Sequence, residues 1–295
     1  MDVIFELDND EKNWWSNVIK EFRQEIVAKP QSYVDAYITK NEASLDTIRK
    51  DVSGFILQIR SSCWSTYLID EVDFHKKVIS HLIREREIPS TILQELVETE
   101  LFEDSLISSD KTVLLKGLSD LVGDFAGRIM PYIYDLSLST TNSRRSRAGN
   151  TFEAIIAHMM QLYGYPYEDQ SSLGTSFYSK HELGKMVDGV IPGAEAYNSN
   201  RSKCHIVTMK TTLRERWQEV VEELKRTNIP HIYLLTLDDS ISKGVLKTMK
   251  HQNITIVDYL EVKERFPEDK NIMSFEEYFE REIPHTLSYW ERQND

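Results

Sequence analysis

Cysteine is nearly absent. Only Cys63 and Cys204 occur in 295 residues, far apart and in no zinc-ligand spacing. That excludes a disulfide scaffold and fits two reduced thiols in a cytoplasmic chain. No apolar run reaches the roughly 18 residues of a transmembrane helix, so no membrane partner is expected. The opening MDVIFELDND is acidic and has neither the basic nor the apolar region of a secretory signal. Repeats and low-complexity linkers are missing. An excess of positive charge is missing too: the net charge is −13. A protein that binds nucleic acid usually carries a basic surface, so this balance argues superficially against one.

What is present is ordinary for a globular chain: 40% hydrophobic and 28% charged residues. The length suits one large domain or two small ones. The charge is unevenly spread. Arg144, Arg145 and Arg147 form one basic run, Arg201 and Lys203 another, and Lys210, Arg214 and Arg216 a third. Much of the acid lies in 95–104 and 261–282. A ligand feels the local field rather than the average, so an acidic body with a basic cleft is compatible with DNA.

Residues 1–140 read as mostly helical. Trp14, Trp15, Val18, Ile19 and Phe22 recur at helical spacing, as do Phe55, Ile56 and Ile59 and then, after a break, Tyr67 and Leu68. Ile92, Leu93, Leu96 and Val97 give a third segment, and residues 114–130 a fourth that stops at Pro131. TTNSRRSRAGN, residues 140–150, reads as a polar break. Thr151 can cap the next helix, whose apolar positions are Phe152, Ile155, Ile156, Met159 and Met160. Beyond Gly164 and Pro166 strands and helices alternate. Strands are expected at 186–191, 205–209, 231–237 and, last, 254–257. Helices are expected at 212–225 and 242–250 and in the acidic, aromatic C-terminal part. The division is a helical region, 1–140, followed by an α/β core, 141–295, with a mixed sheet flanked by helices.

Asp188 lies in the apolar run MVDGVI, where a carboxylate is costly unless paired or bound to a cation. The plainer reading is an aspartate capping the turn before Gly189. Lys210 ends HIVTMK; alone it would be a solvated strand end. Together they place a carboxylate and a cation on neighbouring strands, as phosphodiester hydrolysis requires. Hard oxygen ligands hold a divalent ion, and a nearby cation stabilises charge on phosphate. The residue two before the lysine, where a second acid would be usual, is Thr208. The acid must then come from the next helix, where Glu219 and Glu223 flank the apolar stripe and Glu222 points away from it. Glu153, among apolar neighbours just after the basic run, is a further ligand, or else a first-turn glutamate favoured by the helix dipole.

These residues and spacings resemble the PD-(D/E)XK nuclease superfamily, and within it the type II restriction endonucleases of the SsoII, PspGI and EcoRII group. The likeness covers roughly 145–225, with a shorter match near 55–70. In that group the second acid has moved from the strand to the following helix. The resemblance implies that Asp188 and Glu223 bind Mg²⁺ with Glu153 assisting, and that Lys210 completes the catalytic set. Val187 stands where the superfamily name has proline, and Thr208 where it has an acid. KTTLRER resembles the group's recognition segment, with Arg214, Glu215 and Arg216 as base readers. Arginine can pair with guanine and glutamate with cytosine in the major groove. Arg60 and Trp64 match positions that contact and stack on extruded bases; a core tryptophan is the alternative for Trp64. Asn142 would reach the minor groove, near the phosphate-contacting arginines Arg144, Arg145 and Arg147.

The expectation is a cytoplasmic prokaryotic homodimer, or a pair of dimers, cutting double-stranded DNA at CC and GG around one central base pair. A partner methyltransferase would accompany it. Two other readings are a DNA-binding protein without catalysis and a repair or structure-specific nuclease of the same fold.

Overall fold

A computed structural model describes residues 6–41, 44–86, 111–181, 187–213, 218, 220–222 and 229–294, with side chains in 111–124 described in part. The first helix, α1 (Asn9–Ile26), starts where Asp8 accepts the Glu11 N–H at 2.8 Å. It buries Trp15, Val18 and Ile19, the spacing visible in the sequence. α2 (Pro30–Asn41) opens on proline, whose missing N–H has no partner to lose in a first turn. α3 (Leu45–Ile48) is one turn capped by Ser44. Two long helices follow, α4 (Val52–Glu85) and α5 (Lys111–Tyr163). The expected segment around Ile92 to Val97 lies outside the described residues.

Two sequence expectations give way in α5. Both Pro131 and the polar stretch 140–150 lie inside it, and Thr151 is mid-helix rather than a cap. Pro131 removes one N–H donor, but Ile129 and Tyr132 beside it are buried, and Trp15 Nε1 donates to the Tyr132 carbonyl at 2.9 Å. The polar stretch is held by individual bonds. Thr140 is buried and its hydroxyl pairs with His75 Nε2 at 2.9 Å. The Thr141 hydroxyl donates to the Ser137 carbonyl at 2.9 Å. Arg144 Nε donates to both carboxylate oxygens of buried Glu71, on α4, at 2.9 and 3.1 Å. Such bonds outweigh a helix propensity weaker by about 0.5 kcal/mol per residue.

The chain packs as two compact units: Met1–Lys29 with Ser65–Ser146, and Pro30–Trp64 with Arg147–Asp295. The second unit carries a six-stranded sheet in the order β1 to β6. The strands are β1 (Glu168–Asp169), β2 (Gly189–Ile191), β3 (His205–Lys210), β4 (Ile232–Thr236), β5 (Ile254–Asp258) and β6 (Ile272–Ser274). β1, β2 and β3 pair antiparallel, and β3 through β6 pair parallel. Antiparallel neighbours are joined through α6 (Gln170–Lys180) and α7 (Ala194–Asn200). Parallel neighbours need crossovers. α8 (Lys243–His251) links β4 to β5, and α9 (Leu260–Glu264) lies between β5 and β6. Between β3 and β4, the described positions 218 and 220–222 are helical. The chain ends in α10 (Phe275–Glu277), a π turn at Tyr278–Glu282, and α11 (Ile283–Asn294).

All five residues of β4 and of β5 are buried, as their continuous apolar runs foretell. β5 is not the last strand: β6 follows, too short for its periodicity to be read, and its Ser274 forms a capping box with Glu277. β2 starts at Gly189, so Asp188 stands just ahead of the strand rather than at its middle. A Cβ at residue 189 would overlap the Tyr167 ring, so this close approach demands glycine.

Candidate active site

The antiparallel pairing of β2 with β3 places Asp188 beside the end of β3. The Asp188 N–H donates to the Val207 carbonyl at 2.8 Å, extending the ladder by one residue. Its Oδ2 then accepts the Met209 N–H at 2.6 Å and, more weakly, the Thr208 hydroxyl at 3.4 Å. Lys210 Nζ lies 3.8 Å from the same oxygen. Both side chains are largely buried, at 11% and 14% exposure. The position where an acid would be usual is thus a threonine turned toward the aspartate. The Asp188 carbonyl accepts the Tyr167 hydroxyl at 3.3 Å and the Gln170 N–H at 3.1 Å.

Burial pushes the Asp188 carboxyl up to about 6. Lys210 and the Met209 N–H pull the other way, and the charge of Glu153 adds to the rise. Glu153, on α5, is solvent-exposed but partly desolvated by its neighbours, which raises its carboxyl; Lys210 opposes this and Asp169 reinforces it. Asp188, Lys210 and Glu153 therefore share one electrostatic environment. Sequence reading missed two of its members. Asp169 ends β1 opposite Gly189, and its Oδ1 accepts the Ser172 N–H at 2.8 Å and the Ser171 and Ser172 hydroxyls at 2.8 and 2.7 Å. Burial raises its carboxyl, but those bonds outweigh it and hold the group below the ordinary value. The D-x-x-S pattern reads as a helix cap, and it is one. Tyr167, buried among these acids, has its phenol pushed up, first by burial and then by the charges of Asp188, Asp169 and Glu153.

The donor set suits a hard divalent cation. Among the described residues Asp188 Oδ1 accepts no hydrogen bond, and the nearby groups are carboxylates. No three metal-ligating side chains converge among the described residues. Glu219 and Glu223 lie outside them, as do Arg214, Glu215 and Arg216. In the same segment Val220 and Val221 are buried and Glu222 exposed, the phase expected of an amphipathic helix.

Trp64 is 40% exposed rather than in the core, one turn along α4 from Arg60. Arg60 approaches Tyr259, where its charge works against the burial that raises that phenol. Asn142 and Arg145 are exposed on α5, and Arg147 is partly buried. Arg144 is joined to Glu71, which is 4% exposed. Burial opposes ionisation of Glu71, and the bonds from Arg144 and Tyr67 outweigh it.

The family described as EcoRII C terminal matches residues 116–279. The type II restriction enzyme SsoII of Shigella sonnei is 35% identical over 240 residues, 80% of this chain and 70% of its own length. The type II restriction enzyme EcoRII of Escherichia coli is 23% identical over 176 residues, 58% of this chain but 41% of its own. A structure of metal-depleted Ecl18kI with uncleaved, modified DNA superposes with a TM-score of 0.75 at 29% identity, covering 96% of this chain and 86% of that one. The PspGI–substrate DNA complex shares the fold, with a TM-score of 0.60 at 14% identity over 91% of this chain and 96% of that one. The fold is that of a restriction endonuclease. The chain belongs to the EcoRII C-terminal family, among the type II enzymes related to SsoII, and is thereby a site-specific deoxyribonuclease.

Proposed function

We propose that the chain is a Mg²⁺-dependent homodimer of the PD-(D/E)XK kind, cutting both strands at CC and GG separated by one base pair. The observation that carries this is the largely buried pair of Asp188, just ahead of β2, and Lys210, at the end of β3, with Glu153 in the same field. Asp188 and Glu223, with Glu153, would hold Mg²⁺, which supplies Lewis-acid stabilisation of charge on the scissile phosphate. Asp188 is held by the Met209 N–H, so its second oxygen has a fixed direction. Lys210, restrained by a bond to the Met209 carbonyl at 3.0 Å, steadies the phosphate and orients the attacking water. Water gives up a proton and bonds to phosphorus as the P–O3′ bond breaks, and the departing 3′ oxygen takes up a proton, leaving 3′-hydroxyls and 5′-phosphates; the two cuts are staggered to leave 5′ overhangs.

Arg214, Glu215 and Arg216 read the C·G pairs. Trp64 and Arg60 receive the flipped central bases; the exposure of the Trp64 ring supports this. Asn142, Arg144, Arg145 and Arg147 face the DNA backbone or minor groove. The region 1–140 clamps DNA and makes dimer contacts, while 141–295 reads and cuts. Support for the dimer comes from Met130, Tyr134 and Leu138, spaced by four on α5 and 48–62% exposed. The dimer, or a pair of dimers, works in a prokaryotic cytoplasm beside a methyltransferase that protects the same site.

Plasmid digestion with and without Mg²⁺, followed by end mapping, tests this. Discrete fragments ending at CC-N-GG are expected, and Lys210→Ala should cut about a hundred- to a thousandfold more slowly. Specific binding without cutting would instead mean a catalytically silent DNA binder. Cutting governed by DNA structure rather than sequence would mean a repair nuclease.

A further inference from the structure

The span between Lys210 and Arg214 is anchored from the neighbouring strand. β3 and β4 are parallel, with Lys210 opposite Thr236, so their chains leave the sheet side by side. Asp238 lies two residues beyond β4 and is 6% exposed. Its Oδ2 accepts the Leu213 N–H at 2.6 Å. Its Oδ1 accepts the Ser240 N–H at 3.0 Å and the Ser240 hydroxyl at 2.5 Å. Both oxygens are therefore directed, and charge-assisted bonds of this length are stiff. Leu213 is itself buried, so its side chain and its N–H are both held.

We propose that Asp238 is a positioning residue for base recognition, its carboxylate fixing the backbone from which Arg214, Glu215 and Arg216 follow. The inference rests on the reading of those three residues as the base readers. A buried carboxylate is a poor way merely to stabilise a loop, because its desolvation offsets much of what its bonds contribute. It does supply direction. Bidentate base readout needs side chains placed to within about 0.5 Å, which a loosely held backbone cannot provide. Asp238 touches neither DNA nor the reacting atoms in this role; it acts through Leu213.

The test uses full-length Asp238→Ala, Asp238→Asn and Glu215→Ala. For each, single-turnover cleavage is measured on a CC-N-GG duplex and on a duplex with one of those C·G pairs replaced. The readout is the ratio of the two rates. Asp238→Ala should lower the ratio about tenfold or more, with low-salt binding to nonspecific DNA unchanged. Asp238→Asn keeps one acceptor oxygen for the competing donors, so its ratio should fall between Ala and wild type; if the alanine variant does not fold, Asn carries the test alone. An unchanged ratio in the Asp238 variants, whatever their melting temperature or overall rate, would overturn the inference and leave Asp238 a structural anchor. Glu215→Ala separates the two claims. If it lowers the ratio while the Asp238 variants do not, only the role of Asp238 fails. If Glu215→Ala also leaves the ratio unchanged, or the wild type does not discriminate, the recognition reading fails and this inference with it.

Discussion

Asp188 and Asp258 are both aspartates raised by burial, yet their surroundings assign them different work. Asp188 has a lysine beside it and, among the described residues, one oxygen without a hydrogen bond, which suits the ligand role proposed for it. Asp258, the last residue of β5, is fully buried and its Oδ2 has no hydrogen-bond partner among the described residues. Burial pushes its carboxyl up to about 8; the Tyr259 N–H at 2.8 Å opposes this and the Asp238 charge adds to it. An unfolded aspartate loses its proton near pH ~4. Between about pH 4 and 8 the folded chain therefore keeps a proton that the unfolded chain has released. Its contribution is complete below about 4 and is lost as pH rises through about 8. Asp258→Asn has no such proton to lose, so its melting temperature relative to wild type should climb across that window. Melts recorded from pH 4 to 9 check this; a constant offset would mean that Asp258 does not titrate there.

Among the elements, α4 and α5 illustrate how a helix is held against its own composition. The polar stretch of α5 stays helical because Thr140 and Arg144 find partners on α4. Removing Arg144 would leave the buried Glu71 carboxylate with the Tyr67 hydroxyl but without its cation. Breaking a fully buried pair costs about 3–5 kcal/mol, and because the Arg144 side chain is 46% exposed we expect about 2 kcal/mol for Arg144→Ala. Glu71→Gln combined with Arg144→Ala should recover part of that loss, since the stranded charge is gone. Urea denaturation of the two variants measures both quantities, and equal losses would show that Glu71 tolerates being unpaired.

For the whole molecule, a net charge of −13 and a DNA substrate are compatible, because the basic residues cluster along the chain rather than spreading evenly. Binding should weaken steeply with added salt, since phosphate contacts release counterions. The dimer proposed above would use the exposed stripe on α5. Placing charge in it, with Met130→Lys and Tyr134→Asp together, should weaken the proposed dimer about a hundredfold or more. Sedimentation at micromolar concentration would then report monomer, and an unaltered dimer would move the interface elsewhere.

Much was legible from residue order alone. The mostly aliphatic and aromatic runs at 205–209, 231–237 and 254–257 announce β3, β4 and β5, because strands buried on both faces are predominantly apolar. Asp188 and Lys210 stood out for the same reason: charge beside such runs needs a partner, and each is the other's. Three things only the folded chain decided. Pro131 and the polar stretch 140–150 do not break α5, because the burial of Ile129 and Tyr132 beside the proline and the bonds of Thr140 and Arg144 involve residues distant in sequence. Asp169 reads as a cap and also faces the site, because pairing of β1 with β2 puts it opposite Gly189. Asp238 looks like a turn acid until the parallel register of β3 and β4 carries it to Leu213. Local pattern reports which face a residue needs to bury or pair; which distant group meets it is set by strand register and helix packing, and no spacing along the chain encodes that.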